Sequence, residues 1–324
     1  SMTRFSNDSL QLHGVLNGTN MSAALTLRCL GALTHAQGIQ TIGPDTGAPY
    51  QETRFIGERR PEISATAMAV RSVLDTLSLL GQNCMTAAEG LPGVQAFLQS
   101  HSPCAVNGRT AGSNHRRITV AKCHLLVTQV GGSRGSSATV QLRVVELSTD
   151  GQATPEAIVD NAALPSTFVA DQEFVICEPR VGNILIAPDH VLGWSIETGV
   201  DLTVIVPAGS IYATAVDVVK VTPRITVQHD DPTLLGSSRI PENGLVCTHA
   251  NTVFPLQKRS PLGGLVARDQ TEHIKITAAG YAHHAADYNA SGRAVGTGEL
   301  TVECIEGVGG VPLTVSTGVA LTTI

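Results

Sequence analysis

Apolar and polar positions alternate along most of this chain, with a period of two that predicts strands almost everywhere. SLQLHGVLNGTNMSAALTLRCL, residues 9–30, gives two alternating runs around Asn17-Gly18, a pair of residues suited to a hairpin turn. Further alternation fills ITVAKCHLLVTQV from Ile118 and ATVQLRVVEL from Ala138, separated by the turn-forming GGSRGSS. One segment breaks the pattern. Between Ser64 and Gly81 the apolar residues Val70, Val73, Leu74, Leu77 and Leu80 fall on a helical stripe, which predicts a helix over about 65–81 with Ser64 or Thr66 as N-cap. A short helix is expected at 93–99 as well, inside an otherwise loop-like 82–113.

The pattern also repeats. YQETRFIGERRPEI, Tyr50 to Ile63, returns 162 positions later as YATAVDVVKVTPRI, Tyr212 to Ile225. Tyrosine, proline and final isoleucine keep register, as do Gly47 and Gly209 three positions before the tyrosines. Each copy reads as a bent hairpin: a glycine turn, an alternating run, a proline that interrupts pairing, and a second run. A second match follows. Placing His115 over His273 sets Ile118 over Ile276 and Thr119 over Thr277, and the returning strands then match Val140, Leu142 and Val144 to Leu300, Val302 and Cys304. The helix has only a one-turn counterpart at TLLG, after Asp231-Pro232. The fold class expected is mainly antiparallel β, a sandwich or partial barrel with one or two short helices, in two related tandem domains at 1–165 and 166–324. The join is placed in STDGQATPEAIVDNAALPST, residues 148–167, rich in Pro, Asp, Ser and Thr. Trp194, the single tryptophan, is expected in the second core or at the seam between domains.

Composition narrows the function. Aromatics are 3% and charged residues 15% of 324, which leaves a neutral, small-residue-rich surface of the kind that packs against copies of itself. Residues 1–165 carry 12 basic and 11 acidic side chains and residues 166–324 carry 9 and 16, so the halves stand at +1 and -7. With only four lysines, unclustered, no basic stripe for gripping nucleic acid is present. Seven cysteines with no CxxC and no His/Cys run at zinc spacing read as reduced thiols. No run approaches eighteen apolar residues, so a soluble, cytoplasm-made chain with no membrane partner is expected.

Catalytic motifs are missing. HExxH, a Walker loop and a dinucleotide fingerprint are absent from the sequence, and the one GxSxG spacing, Gly131 to Gly135 in GGSRGSS, joins two strands and so lacks the strand-to-helix turn of a nucleophile elbow. GGSRGSS joins two strands and so lacks the helix N-terminus that binds phosphate; Asp230-Asp231 reads as capping charge, and His283-His284 point to opposite faces of a strand. No catalytic residue, cofactor or metal ligand is therefore assigned, and no enzyme is expected.

The run APYQETRFIGERRPEISATAMAVRSVLDTL, then NHRRITVAKCHLL and the returning VQLRVVELSTDG, resembles phage tail tube and related virion structural proteins, including duplicated versions. The resemblance implies an extended strand entering a kinked hairpin that ends in proline, one helix packed on a β-sandwich, and a long projecting hairpin. It implies self-association through continued sheets, three chains giving a pseudo-sixfold ring, other tail proteins as partners, and DNA passing without specific binding. Location in the virion tail after assembly in a host cytoplasm follows from the same resemblance. Tyr50, Glu58, Arg59, Arg60, Pro61, Tyr212 and Pro223 are the residues expected to shape the assembling edge. A head-decoration or head-tail joining protein, or a carbohydrate- or receptor-binding sandwich module, is the alternative.

Overall fold

The computed structural model describes residues 4–13, 15–16, 19–20, 25–28, 33–43, 55–77, 93–101, 115–162, 173–182, 184–231, 247–248, 252–260, 262–278, 281–289, 296–305 and 312–322. Over these residues the protein is mainly antiparallel β with one helix. No helix among them is long and apolar enough to cross a membrane.

A nine-stranded sheet runs through the molecule. Its order is β21 (Cys247–Thr248), β24 (Tyr281–Asn289), β25 (Thr297–Ile305), β20 (Arg224–His229), β17 (Val191–Glu197), β11 (Cys123–Ser133), β12 (Thr139–Glu146), β8 (Glu62–Ala67) and β5 (Thr34–Ala36). One smaller sheet, β13 (Glu156–Ala162), β10 (His115–Val120), β9 (Gly93–His101), β1 (Arg4–His13) and β4 (Leu25–Arg28), belongs to the first half. Another, β16 (Ile184–Leu185), β15 (Arg180–Val181), β22 (Thr252–Lys258), β23 (His273–Ala278) and β26 (Leu313–Val319), belongs to the second, with β14 (Phe174–Ile176) also on β22. Inward residues of all three sheets share one buried core, among them Ile63, Val127, Leu142 and Val144, Val94 and Ile118, Phe254 and Ile276. Burying each such side chain is worth about 1.5–3 kcal/mol.

The strand pairings follow the same order in both halves. β10–β11–β12 corresponds to β23–β24–β25: the first strand lies in the small sheet, and the next two form a hairpin in the long one. The returning strand then pairs with the strand after the proline, Val144 opposite Ile63 and Val302 opposite Ile225. One hydrogen bond recurs too, Glu146 N to Pro61 O at 3.1 Å and Cys304 N to Pro223 O at 2.9 Å. These registers place Val144 with Val302 and Glu146 with Cys304, two residues away from the match of the returning strands made on sequence.

Several expectations change. The run from Ile118 is not one strand: the chain turns at Ala121-Lys122 and passes from the small sheet to the long one. The helix α1 is Val70–Leu77, because residues 62–67 extend into β8, whose alternating burial and ladder to β12 outweigh the helical stripe. Residues 93–99 are strand, not helix, since β9 is a central strand paired on both edges, with Val94 and Ala96 fully buried. Glu156–Ala162, read as linker, is the edge strand β13. Pairs between β1 and β4, with Val15 opposite Asn20 inside them, bear out the hairpin around Asn17-Gly18. The short second helix after Pro232, the tip at 290–295, most of the 82–113 loop and the expected join near 165 lie outside the described residues.

Across that join the two halves share the long sheet. β11 pairs with β17, Val130 opposite Ile196 and Gly132 opposite Trp194. Trp194 therefore serves both expected places, since it is 2% exposed, donates from Nε1 to Cys177 O at 3.2 Å and meets Phe254 edge-on at 5.6 Å. Gly131 permits the close approach, as a Cβ there would sit 2.4 Å from Trp194 O.

Candidate assembly surface

Two ribbons leave the long sheet at equivalent points. The first is β6 (Ile39–Ile42) paired with β7 (Phe55–Arg59); the second is β18 (Val200–Ile205) paired with β19 (Ala215–Val221). Each opens on a glycine of positive φ, Gly38 at 54° and Gly199 at 58°. The carbonyl of that glycine accepts from the residue before the proline, Arg60 N at 3.1 Å and Thr222 N at 3.0 Å. After Pro61 or Pro223 the chain enters the long sheet. The strands on either side of each proline lie in different sheets and do not pair with each other, so the expected hairpin across the proline is not formed; each ribbon closes on a strand upstream of its tyrosine.

The ribbons differ in what covers them. Ala213 and Val216 of the second are buried against Val145 and Leu147 of the first half, with Leu202 and Val204 beside them. On the first ribbon Ile39, Ile42, Phe55 and Ile56 are 47–62% exposed. Sequence alternation alone reads IQTI as an ordinary strand, so this apolar surface carries no distinguishing signal before the partners of β6 are known.

Of the residues assigned to assembly, Arg59 and Tyr212 meet. Arg59 N donates to Ile211 O at 2.7 Å and Arg59 Nη1 to the Tyr212 hydroxyl at 3.3 Å, a short parallel bridge between the ribbons. Glu58 pairs with Arg60 at 2.9 Å on the same strand end. Pro61 and Pro223 hold the equivalent sheet bonds described above, and Tyr50 lies outside the described residues.

The long sheet also ends openly on both sides among the described residues. β5 pairs only with β8. β24 meets β21 only at Tyr281 and Ala282, so His283 to Asn289 have no strand on their outer edge. The polar candidates behave otherwise: Asp230 accepts from His190 Nδ1 at 2.7 Å, and that bond raises the imidazole's pKa, so the Asp230-Asp231 pair is divided. Cys177 and Cys304 are buried and form no disulfide, and burial pushes their thiols up to about 11 and about 12, far from a reactive thiolate.

One group of possible metal ligands is present among the described residues, His35, Glu146 and Glu156, whose ligand atoms all lie within 4.8 Å of one another. Sequence spacing gave no sign of it, because the three stand on three strands of two sheets. Compared with known proteins, the chain matches no family model and no curated sequence.

Proposed function

We propose that this chain is a non-enzymatic structural protein that assembles with copies of itself, a tail tube subunit of a virion whose two halves are related domains. The supporting observation is the seam inside the chain. There β11 of the first half adds to β17 of the second, and the second ribbon lies on Val145 and Leu147. The corresponding elements at the outer ends, β24 from His283 onward and β5, have an unpaired outer edge among the described residues, and the first ribbon shows its apolar side to solvent.

If each chain repeats its internal seam with the next, the register is determined. Gln129 and Val130 correspond to Asp287 and Tyr288 through their partners on β12 and β25. Glu197 and Ile196 correspond to Ala36 and His35 through β20 and β8. Asp287 then faces Ala36 of the next copy, and Tyr288 faces His35. A head-to-tail contact of this kind closes into a ring, with three chains giving pseudo-sixfold symmetry, and closure removes both open edges. Stacked rings make a conduit through which DNA slides, a passage favoured by the acidic second half.

The test is direct. Negative-stain microscopy of the purified chain is expected to show rings or tubes, and the pair Ala36→Cys with Asp287→Cys should give crosslinked ladders under oxidation that neither single variant gives. A monomer at every concentration, with no crosslink, would overturn the reading; finding the chain on capsids instead of tails would favour head decoration.

A further inference from the structure

At the open end of the first half, β5, β12 and β13 bring three ionisable side chains together between the two sheets. His35 Nε2 lies 2.8 Å from Glu156 Oε2 and 3.4 Å from Glu146 Oε1. Glu146 is fully buried, and neither of its oxygens has a donor in hydrogen-bonding geometry. Gln37 Nε2 donates to the other oxygen of Glu156 at 2.8 Å, which turns Oε2 toward the group.

The second half answers what these positions hold when they serve packing alone. Through the registers of β8 and β20, His35 corresponds to Ile196. Glu146 corresponds to Cys304, and Glu156 to Leu313, which faces Ala278 as Glu156 faces Val120. All three of those counterparts are apolar or thiol and at most 5% exposed. The same sandwich closes without any charge here, so the trio in the first half is not required by the fold. A neutral imidazole beside two ionised carboxylates, one of them fully buried, leaves net negative charge at the site, and a protonated one compensates only one of the two.

We propose that His35, Glu146 and Glu156 bind a divalent transition-metal ion of the zinc type, stapling the two sheets together at this edge. Two carboxylates, a neutral imidazole and a dication sum to zero charge. Ligand atoms about 2.1 Å from a tetrahedral ion stand about 3.4 Å apart. The spacing from His35 to Glu146 is at that value, and the spacing from His35 to Glu156 needs only to open slightly. The mixed nitrogen and oxygen donors suit zinc and its neighbours better than magnesium or calcium, which take oxygen sets. Side-chain exposures of 12% for His35 and 9% for Glu156 leave an entry path from the edge.

All three ligands belong to one chain, so zinc uptake by the unassembled chain is read separately from ring formation, in which the next copy's β24 would cover the edge of β5 that carries His35. The purified full chain, stripped with chelator and titrated with ZnCl2 by calorimetry, should take up one zinc per chain, retain it through gel filtration, and melt at a higher temperature with zinc than without. Glu156→Gln should weaken zinc binding by at least about a hundredfold while the chain stays folded. The triple variant His35→Ile, Glu146→Val, Glu156→Leu, which gives the site the uncharged character of its counterpart in the second half, should fold and bind no zinc. The proposal is overturned if the folded native chain takes up no zinc, if the variants bind it unchanged, or if magnesium competes equally.

Discussion

Arg59 Nη1 donates to the hydroxyl of Tyr212 at 3.3 Å, which ties the strand entering Pro61 to the connection between the two strands of the second ribbon, 153 residues later. Tyr212 is 9% exposed, and its own N donates to Gly151 O at 3.0 Å, so the ring is held from two sides. Tyr212→Phe removes only the hydroxyl and leaves the backbone bridge. The expected loss is about 1 kcal/mol in urea unfolding with an unchanged m-value, and a loss beyond about 3 kcal/mol would mean that the hydroxyl has a further role.

Glycine serves the second ribbon in two ways, at its base and in the connection between its strands, and the effects separate. A Cβ at Gly199 would lie 1.9 Å from Thr222 O, whereas one at Gly209, also at positive φ, meets nothing within 4 Å. Gly209→Ala should therefore cost about 1 kcal/mol, the conformational term alone, and Gly199→Ala clearly more. Thermal unfolding of the two variants side by side measures the difference; equal losses would contradict the equivalence drawn between Gly199 and Gly38.

His124 gives a pH dependence of known sign. It is 1% exposed, neither ring nitrogen has a hydrogen-bond partner, and burial followed by the nearby Arg143 lowers its pKa from 6.5. A depressed folded pKa means that the unfolded chain binds the proton more readily. Its contribution is thus intact above about pH 6.5 and is lost as pH falls from there through the folded pKa. The stability difference between the native chain and His124→Leu should shift in the variant's favour as pH drops from 7 to 5. A difference constant across that range would show that His124 does not titrate on unfolding.

The uncovered ribbon separates folding from association. Phe55 is 60% exposed, so Phe55→Asp should change monomer stability by no more than about 0.5 kcal/mol. Under the proposed assembly the same change should abolish rings in negative stain and shift gel filtration to the monomer. Rings that persist would remove the first ribbon from the interface.

Much of the strand content was legible because alternation with period two is a local property: β11, β12, β24 and β25 follow from apolar spacing alone. The matching positions of Pro61 with Pro223 and Ile63 with Ile225 were legible for the same reason, and their strands pair alike, while Tyr50 lies outside the described residues. Where local signals conflicted, the sequence misled. The helix expected from about 65 begins only at Val70 because 65–67 complete the ladder of β8 to β12, and residues 93–99, expected as a helix, fill the centre of a sheet because ladder bonds on both edges outweigh intrinsic preference.

The sequence by itself determined a mainly β chain with two stretches that match each other. Only the tertiary structure decided that the halves share one sheet, that Arg59 meets Tyr212, that part of the second ribbon packs on Val145 and Leu147 while the first has no such cover among the described residues, and that His35, Glu146 and Glu156 converge. Each of these depends on which strands lie side by side. Pairing partners are chosen by the burial of whole faces across the core, and spacing along the chain carries no record of that choice.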